Sequence, residues 1–281
     1  MNWEYSTKTK LLKIFLVIFS RPSFFNFFYG INKICLNAMN RTAASQLSPN
    51  FTGEKKAFKF AFEKLKNHDK LVIFDGGGSY GDYSNMIKEI CYSANNNFDL
   101  YIFEPSSVCF SYLSEKNKNL ENIKLYKLAL SEENSCCRLY SPWEGSSGAS
   151  LAELKYLKMV IKNSSDSLPS ETVNTTKLDD FCDDNNINKI DFLKLDIEGF
   201  ELSALKGAYQ MIMNGKIKFI QIEIGSASLT TKSMLFDFWE MFNNLYYFYL
   251  ILNQGLIEIK EYKADLESFY GASNFLLQLK K

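Results

Sequence analysis

Short apolar runs alternate with helical patterns along most of this chain. Leu71–Phe74 is one such run, and it stops at Asp75. A short apolar run bounded by turn residues reads as a buried strand. Gly76-Gly77-Gly78-Ser79-Tyr80-Gly81 then predicts a tight turn. Tyr83, Met86, Ile87 and Ile90 recur at helical spacing until Asn95–Asn97 breaks the pattern. Leu100–Phe103 reads as a second strand, ended by Glu104-Pro105. Ser107–Lys118 reads as a helix and Ile123–Leu130 as a third strand. Ahead of these, Ala57–Lys66 carries a helical pattern into the first strand.

The same alternation returns later. Asp179–Asp184 predicts a short helix, and Ile190–Leu195 a buried strand ending in Asp196. Phe200–Met213 predicts a helix, Ile217–Ile222 a strand ending in Glu223, and Met234–Phe242 a helix. Leu245–Leu252, Leu256–Ile259 and Phe275–Leu279 supply the closing apolar runs. Strands alternating with helices predict a doubly wound, parallel α/β sheet. Ligands of such sheets sit at the carboxyl ends of the strands, where Asp75, Glu104, Asp196 and Glu223 fall.

Two stretches depart from the pattern. Residues 131–175 are irregular, with a Gly/Ser-rich Pro142–Ser150, a helical pattern over Leu151–Ile161 and a loop over Asn163–Ser170. This insert reads equally as a lid over the site or as a plain surface excursion. Residues 1–50 predict a helical extension, leaving 51–281 as the main domain. Ile14–Phe19 is too short to span a bilayer, and no small-residue cleavage site follows it. Phe24, Phe27, Phe28, Ile31 and Cys35 form a stripe that packs on the domain or touches a membrane or partner.

Composition narrows the field. Lys plus Arg and Asp plus Glu are 32 each, so there is no basic excess for a nucleic-acid partner. The six cysteines form no CxxC pair and the chain has one histidine, which argues against a zinc site and fits a reducing cytoplasm.

The glycine run satisfies GxGxxG, and Glu104 follows it as an acidic residue, so a nicotinamide-dependent oxidoreductase is one reading. Asp75, directly before the glycines, would repel a pyrophosphate. It would attract S-adenosylmethionine, which has no phosphate and carries a sulfonium and an ammonium. Glu104 can accept both hydroxyl protons of a ribose in either reading.

Asp75-Gly76-Gly77-Gly78-Ser79-Tyr80-Gly81-Asp82-Tyr83-Ser84 and Phe103-Glu104-Pro105 open a longer set of motifs. Leu178-Asp179-Asp180-Phe181, then Phe192-Leu193-Lys194-Leu195-Asp196-Ile197-Glu198-Gly199-Phe200-Glu201, continue it. Leu205-Lys206-Gly207-Ala208 and Ile222-Glu223 close it in the same order. Over roughly residues 70–280 the chain resembles the FkbM family of class I S-adenosylmethionine-dependent methyltransferases. Gly78 and Ser79 stand where that family's first motif has Ala and Asn. The resemblance implies a Rossmann-like, mostly parallel sheet of seven strands with the final strand reversed. It also implies a hydroxyl acceptor on a sugar, glycan, polyketide or related metabolite.

On this reading Asp75, Gly76, Gly77, Gly78, Ser79, Gly81, Glu104, Pro105 and Asp196 hold the methyl donor. Asp196, Glu198 and Glu223 are the candidate catalytic or acceptor-orienting carboxylates, since an alcohol benefits from a base as it attacks. The same three could ligate a hard divalent ion, which their spacing does not require. Glu198 and Glu201 also suit the start of a helix, by favourable interaction with its unpaired N–H groups. Lys194 pairs with a site carboxylate or lies at a strand edge, and His68 reads as a surface or packing residue. Tyr140 and Trp143 either stack on a sugar or pack at the core's edge. The expected activity is O-methylation of a glycan or related metabolite by a cytoplasmic protein with peripheral membrane contact. A nicotinamide-dependent oxidoreductase and a non-catalytic adenosyl-binding module are the rival readings.

Overall fold

The strands form where the apolar runs predict them, because each run is flanked by residues that stop it. A computed structural model describes residues 2–42, 48–49, 51–154, 168–267 and 271–281. The central strands are β1 (Leu71–Gly76), β2 (Phe98–Phe103), β3 (Ile123–Tyr126), β7 (Ile190–Leu195) and β8 (Ile217–Gly225). With β9 (Tyr246–Leu252), β10 (Gly255–Ile259) and β11 (Ala272–Leu279) they make one sheet in the order β10-β9-β11-β8-β7-β1-β2-β3. β3, β2, β1, β7 and β8 are mutually parallel, and β11 runs against both β8 and β9. The sheet therefore has eight strands where seven were expected. The addition is β10, which turns back antiparallel along β9 at the edge.

Successive side chains of a strand face opposite sides of the sheet. Ile73, Phe192, Phe219 and Leu276 face a layer that includes α3 (Glu54–Leu65) and α4 (Asp82–Ser93). Phe74, Leu193, Ile220 and Leu277 face the other core, which contains α6 (Leu178–Asp184), α7 (Glu201–Lys206), α8 (Tyr209–Met213) and α10 (Leu235–Phe242). The intervening α5 (Ser107–Asn117) follows β2, and the short α9 (Ser228–Thr231) follows β8. Both faces are covered, which is why the central strands are apolar at nearly every position.

Three stretches differ from the sequence expectation. Ile123–Leu130 is not one strand. It breaks after Tyr126, and β4 (Ala129–Leu130) joins a separate sheet in the order β4-β6-β5. The other members, β5 (Cys136–Tyr140) and β6 (Ser170–Thr176), lie in the stretch read as irregular and pair antiparallel. Phe200–Met213 is two helices, because Asp179 accepts the N–H groups of Gln210 and Met211 at 2.8 and 2.9 Å and so starts a new helix there. Residues 151–154 are not helical, and the remainder of the helix expected over Leu151–Ile161 lies outside the described residues. Of the loop expected over Asn163–Ser170, residues 163–167 also lie outside them, and Ser170 begins β6.

The N-terminal extension is helical, with α1 (Asn2–Phe19) and α2 (Phe25–Ala38) joined through a short turn at Pro22–Phe24. Asn40 ends it in a left-handed conformation. Its side chain donates to the carbonyls of Thr52 and Ile251 at 2.7 and 3.0 Å.

Candidate active site

Strand register builds the site. Asp75 on β1 stands opposite Lys194 on β7, and Lys194 stands opposite Gln221 on β8. Two residues further along β8, Glu223 stands opposite Asn274 on β11. All follow the same alternation as Ile73, Phe192, Phe219 and Leu276, so they face α3 and α4.

Lys194 has a 5 % exposed side chain and lies 3.2 Å from Asp196 Oδ2 and 3.7 Å from Asp75 Oδ1. Its ammonium sits 4.8 Å from the centre of the Tyr83 ring. Burial lowers the Lys194 pKa, but the carboxylates of Asp196, Asp75 and Glu54 outweigh it and hold the amine charged. Asp75 Oδ2 accepts the Ser84 hydroxyl at 2.5 Å, while Oδ1 has no hydrogen bond. Burial raises the Asp75 pKa against the pull of Lys194. Tyr83 donates to Gln221 at 2.8 Å, Gln221 to Glu54 at 2.9 Å, and Thr52 to Glu54 at 2.6 Å. This chain satisfies a carboxylate that α3 brings to the sheet, which burial also pushes to a raised pKa.

The glycine turn lies close against the neighbouring strand ends. Gly77 is left-handed, and a Cβ there would run into the Asp196 carbonyl oxygen. At Gly76 a Cβ would meet Leu130 and Leu195, and at Gly78 and Gly81 it would meet Ile102 and Leu113 respectively. A side chain at any of these positions would collide with the protein, so the glycines let the turn pack against the neighbouring strand ends and α5. Within the turn, the Ser79 N–H donates to Glu104 Oε2 at 2.7 Å. Ser106 N–H donates to Glu104 Oε1 at 2.8 Å. Burial raises the Glu104 pKa to about 7 against these two bonds. Each carboxylate oxygen keeps a second lone pair for a ligand hydroxyl.

Two hollows meet here. One is largely apolar, with Glu104 and Pro105 beside Leu130, Leu139, Ile197 and Phe200. The other is polar, about 260 Å³, with Glu54, Lys194, Asp196, Glu198, Glu223 and Asn274 in its walls. Ser79, Ser147 and Asp196 belong to both. Asp75 and Gly76 line neither, and Asp75 reaches the polar hollow only through Lys194.

Glu198 has a left-handed backbone, and the Ser150 hydroxyl donates to its carbonyl at 2.7 Å. Burial, then Asp196 and Glu201, raise its carboxyl pKa to about 8. Glu223 accepts Asn274 at 3.2 Å, and burial together with Asp196 and Glu198 raises its pKa well above the usual range. Glu201 accepts the N–H groups of Ile197 and Gly199 at 2.8 and 3.3 Å, which is the helix-start role. His68 is bound to Asp191 at 3.0 Å, at the opposite ends of the strands. Trp143 is exposed and lines neither hollow. Among the described residues, no group of three or more His, Cys, Asp and Glu could hold a metal ion.

The sequence reading missed Glu54, Tyr83, Gln221 and Asn274 and left Lys194 open. A lysine inside an otherwise apolar strand run was the available signal, since a lysine is almost never fully buried unless paired. Glu54 carried no local signal at all.

The residues present fit S-adenosylmethionine. Glu104 offers paired acceptors for a ribose beside an apolar hollow, and the adjoining walls are rich in carboxylates that suit a sulfonium and an ammonium. Strand order with a reversed β11 defines the class I methyltransferase fold. The methyltransferase FkbM domain profile matches residues 75–249, well over half of the chain, and the protein belongs to that family. It is therefore a methyltransferase with S-adenosylmethionine as donor, which sets the glycine run apart from the nicotinamide reading.

No curated protein matches the chain. Among solved structures, the 23S rRNA methyltransferase ErmE is 10 % identical with a TM-score of 0.37, over 80 % of this chain and 68 % of that one. The CurJ carbon methyltransferase is 9 % identical with a TM-score of 0.43, over 81 % of this chain and 53 % of that one. Coclaurine N-methyltransferase, bound to N-methylheliamine and S-adenosylhomocysteine, is 12 % identical with a TM-score of 0.28, over 67 % of this chain and 43 % of that one.

Proposed function

We propose that the protein methylates a hydroxyl group of a sugar, glycan or related metabolite. The observation that supports this most is the convergence of Asp196, Glu198 and Glu223 on a polar hollow adjoining Glu104. An alcohol is a poor nucleophile and needs a partner for its proton. A hollow walled by carboxylates and an amide suits a ligand that presents several hydroxyl groups.

The donor, when bound, supplies an electrophilic methyl group on sulfur. Glu104 accepts the ribose hydroxyls. Asp196, steadied by Lys194 and lining both hollows, orients the acceptor, and the single proton of the reacting hydroxyl is left to Glu198. Glu198, with a pKa of about 8, takes the hydroxyl proton as the new O–C bond forms and the methyl carbon's bond to the donor sulfur breaks. Holding acceptor and methyl carbon in line supplies much of the rate.

The test is transfer of labelled methyl to a panel of glycans, alcohols, amines and activated carbon acids. Label on oxygen is expected. Asp196→Asn should lower kcat on the order of 10²-fold or more at saturating donor, as for a lost positioned catalytic partner, with any weakening of donor binding by calorimetry far smaller. Label confined to nitrogen or carbon, or full turnover in Asp196→Asn, would overturn this assignment. Donor binding without transfer to any acceptor would favour a non-catalytic adenosyl-binding module.

A further inference from the structure

The N-terminal helices carry an apolar surface that the methyltransferase domain does not cover. Among the described residues, thirteen of the 25 large apolar side chains that are exposed lie between Leu11 and Met39. Ile14, Phe15, Leu16, Val17 and Ile18 are all exposed, although they are consecutive and so point around the whole helix. In α2 only Leu36 is buried. Phe25, Phe27 and Ile34 are each more than 60 % exposed. The two helices make an elbow of 86°, held by edge contacts of Phe19 with Phe24 and Phe28 at 5.3 and 6.0 Å. The elbow frames a hollow of about 590 Å³ walled by phenylalanines and Arg21. Exposed apolar area on this scale marks an interaction site.

Charge says what covers it. From Tyr5 to Gly53 the chain has no Asp or Glu, and α1, α2 and the turn between them carry Lys8, Lys10, Lys13, Arg21 and Lys33. A second copy of the same surface would bring like charges together. An anionic lipid leaflet offers apolar chains and negative headgroups at once. Length sets the mode of contact. Among the described residues no single helix is long and apolar enough to cross a membrane. Lys8–Phe19 and Pro22–Ala38 pass by length and composition only when taken together, and the 86° bend between them favours lying along a surface. At 1.5 Å per residue, Lys8–Phe19 and Pro22–Ala38 reach roughly 18 and 25 Å, short of a hydrocarbon core of about 30 Å.

We propose that α1 and α2 form a monotopic seat on an anionic membrane surface, with their aromatic side chains in the interface and their basic residues at the headgroups. The seat ends at the active site. Asn40, directly after α2, lines the polar hollow together with Glu54 and Glu223. The hollow is thereby held beside the membrane, whichever acceptor it takes.

The experiment is flotation of the full chain with vesicles of phosphatidylcholine alone and of phosphatidylcholine mixed with phosphatidylglycerol. The partition coefficient onto the anionic vesicles, read from the floated fraction against lipid concentration, should exceed that onto neutral ones by about fivefold for each basic residue engaged, and should fall as salt is added. Phe27→Ser with Ile34→Ser should abolish flotation, and Lys10→Glu with Lys13→Glu should abolish the preference for anionic lipid. These side chains are exposed, so the melting temperature and calorimetric binding of S-adenosylmethionine should match the wild type. Equal recovery with and without vesicles would overturn the proposal, as would flotation of the Phe27/Ile34 variant at the wild-type level. A dimer in solution that the same pair of substitutions dissolves would assign the surface to a second copy and overturn it as well. None of these readings uses methyl transfer, so they stand apart from the fate of the hydroxyl-acceptor assignment.

Discussion

Lys194 stands opposite Asp75 in the parallel ladder of β1 and β7, with its ammonium 3.7 Å from Asp75 Oδ1 and 3.2 Å from Asp196 Oδ2. One buried cation thus ties the carboxylate before the glycine turn to the carboxylate at the end of β7. Removing it leaves buried charge uncompensated. Lys194→Met should destabilise the protein by about 3–5 kcal/mol in urea unfolding, and Asp75→Asn in that background should recover part of the loss. A loss below about 1 kcal/mol would show that the lysine does not compensate these carboxylates.

Turnover and stability should respond to pH in opposite directions. The folded-state pKa values of Glu104 and Glu198 are raised to about 7 and about 8. The folded protein then holds protons that the unfolded chain has released, so stability falls as pH rises from about 4.5 towards 8. Urea midpoints should decline across that window, and Glu104→Gln and Glu198→Gln should flatten the decline. A proton acceptor must be ionised, so kcat should rise through an apparent pKa of about 8 and lose that limb in Glu198→Gln. A flat kcat profile in the wild type would exclude Glu198 from that role.

Gly77→Ala should be severe. Its backbone is left-handed at φ 85°, and the added methyl would meet a carbonyl oxygen of the main chain, which cannot rotate away. The conformation alone costs about 1–3 kcal/mol for a residue with a side chain, and the clash adds to it. The expected result is a lowered melting temperature with weakened donor binding, since the same turn carries Ser79 to Glu104. An unchanged melting temperature would mean that the turn can relax away from β7.

Asn40→Ala should loosen the N-terminal helices. It removes two hydrogen bonds to buried carbonyls and puts alanine at a left-handed position that Asn tolerates better. The expected loss is about 1–3 kcal/mol, with faster proteolytic release of residues 1–42. Unaltered cleavage kinetics would show that other contacts, such as the Arg41 guanidinium on the Leu266 carbonyl, suffice to anchor the helices.

Much of the fold was legible because its signals are local. Ile190–Leu195 is apolar enough to be a central strand in any setting, and Leu71–Phe74 ends at a turn that only glycines close. The breaks at Tyr126 and Gly207 were not legible. The first depends on β6 offering a partner to Ala129 and Leu130, and the second on Asp179 and on the Ser131 backbone, which leaves no room for a side chain at Gly207. Of the proposed site, Glu104, Asp196, Glu198 and Glu223 could be named in advance, since each follows a strand or opens the next segment.

The alternation of strands and helices, the family and the strand-end carboxylates are legible before folding, because each of these is written in neighbouring residues. The tertiary structure alone decided that Asp75 sits behind Lys194 and that Glu54 faces Gln221 across 167 residues of chain. Register is the reason. The row Asp75-Lys194-Gln221 exists only once β1, β7 and β8 pair in one alignment, and a shift of a single residue would turn every member to the other face.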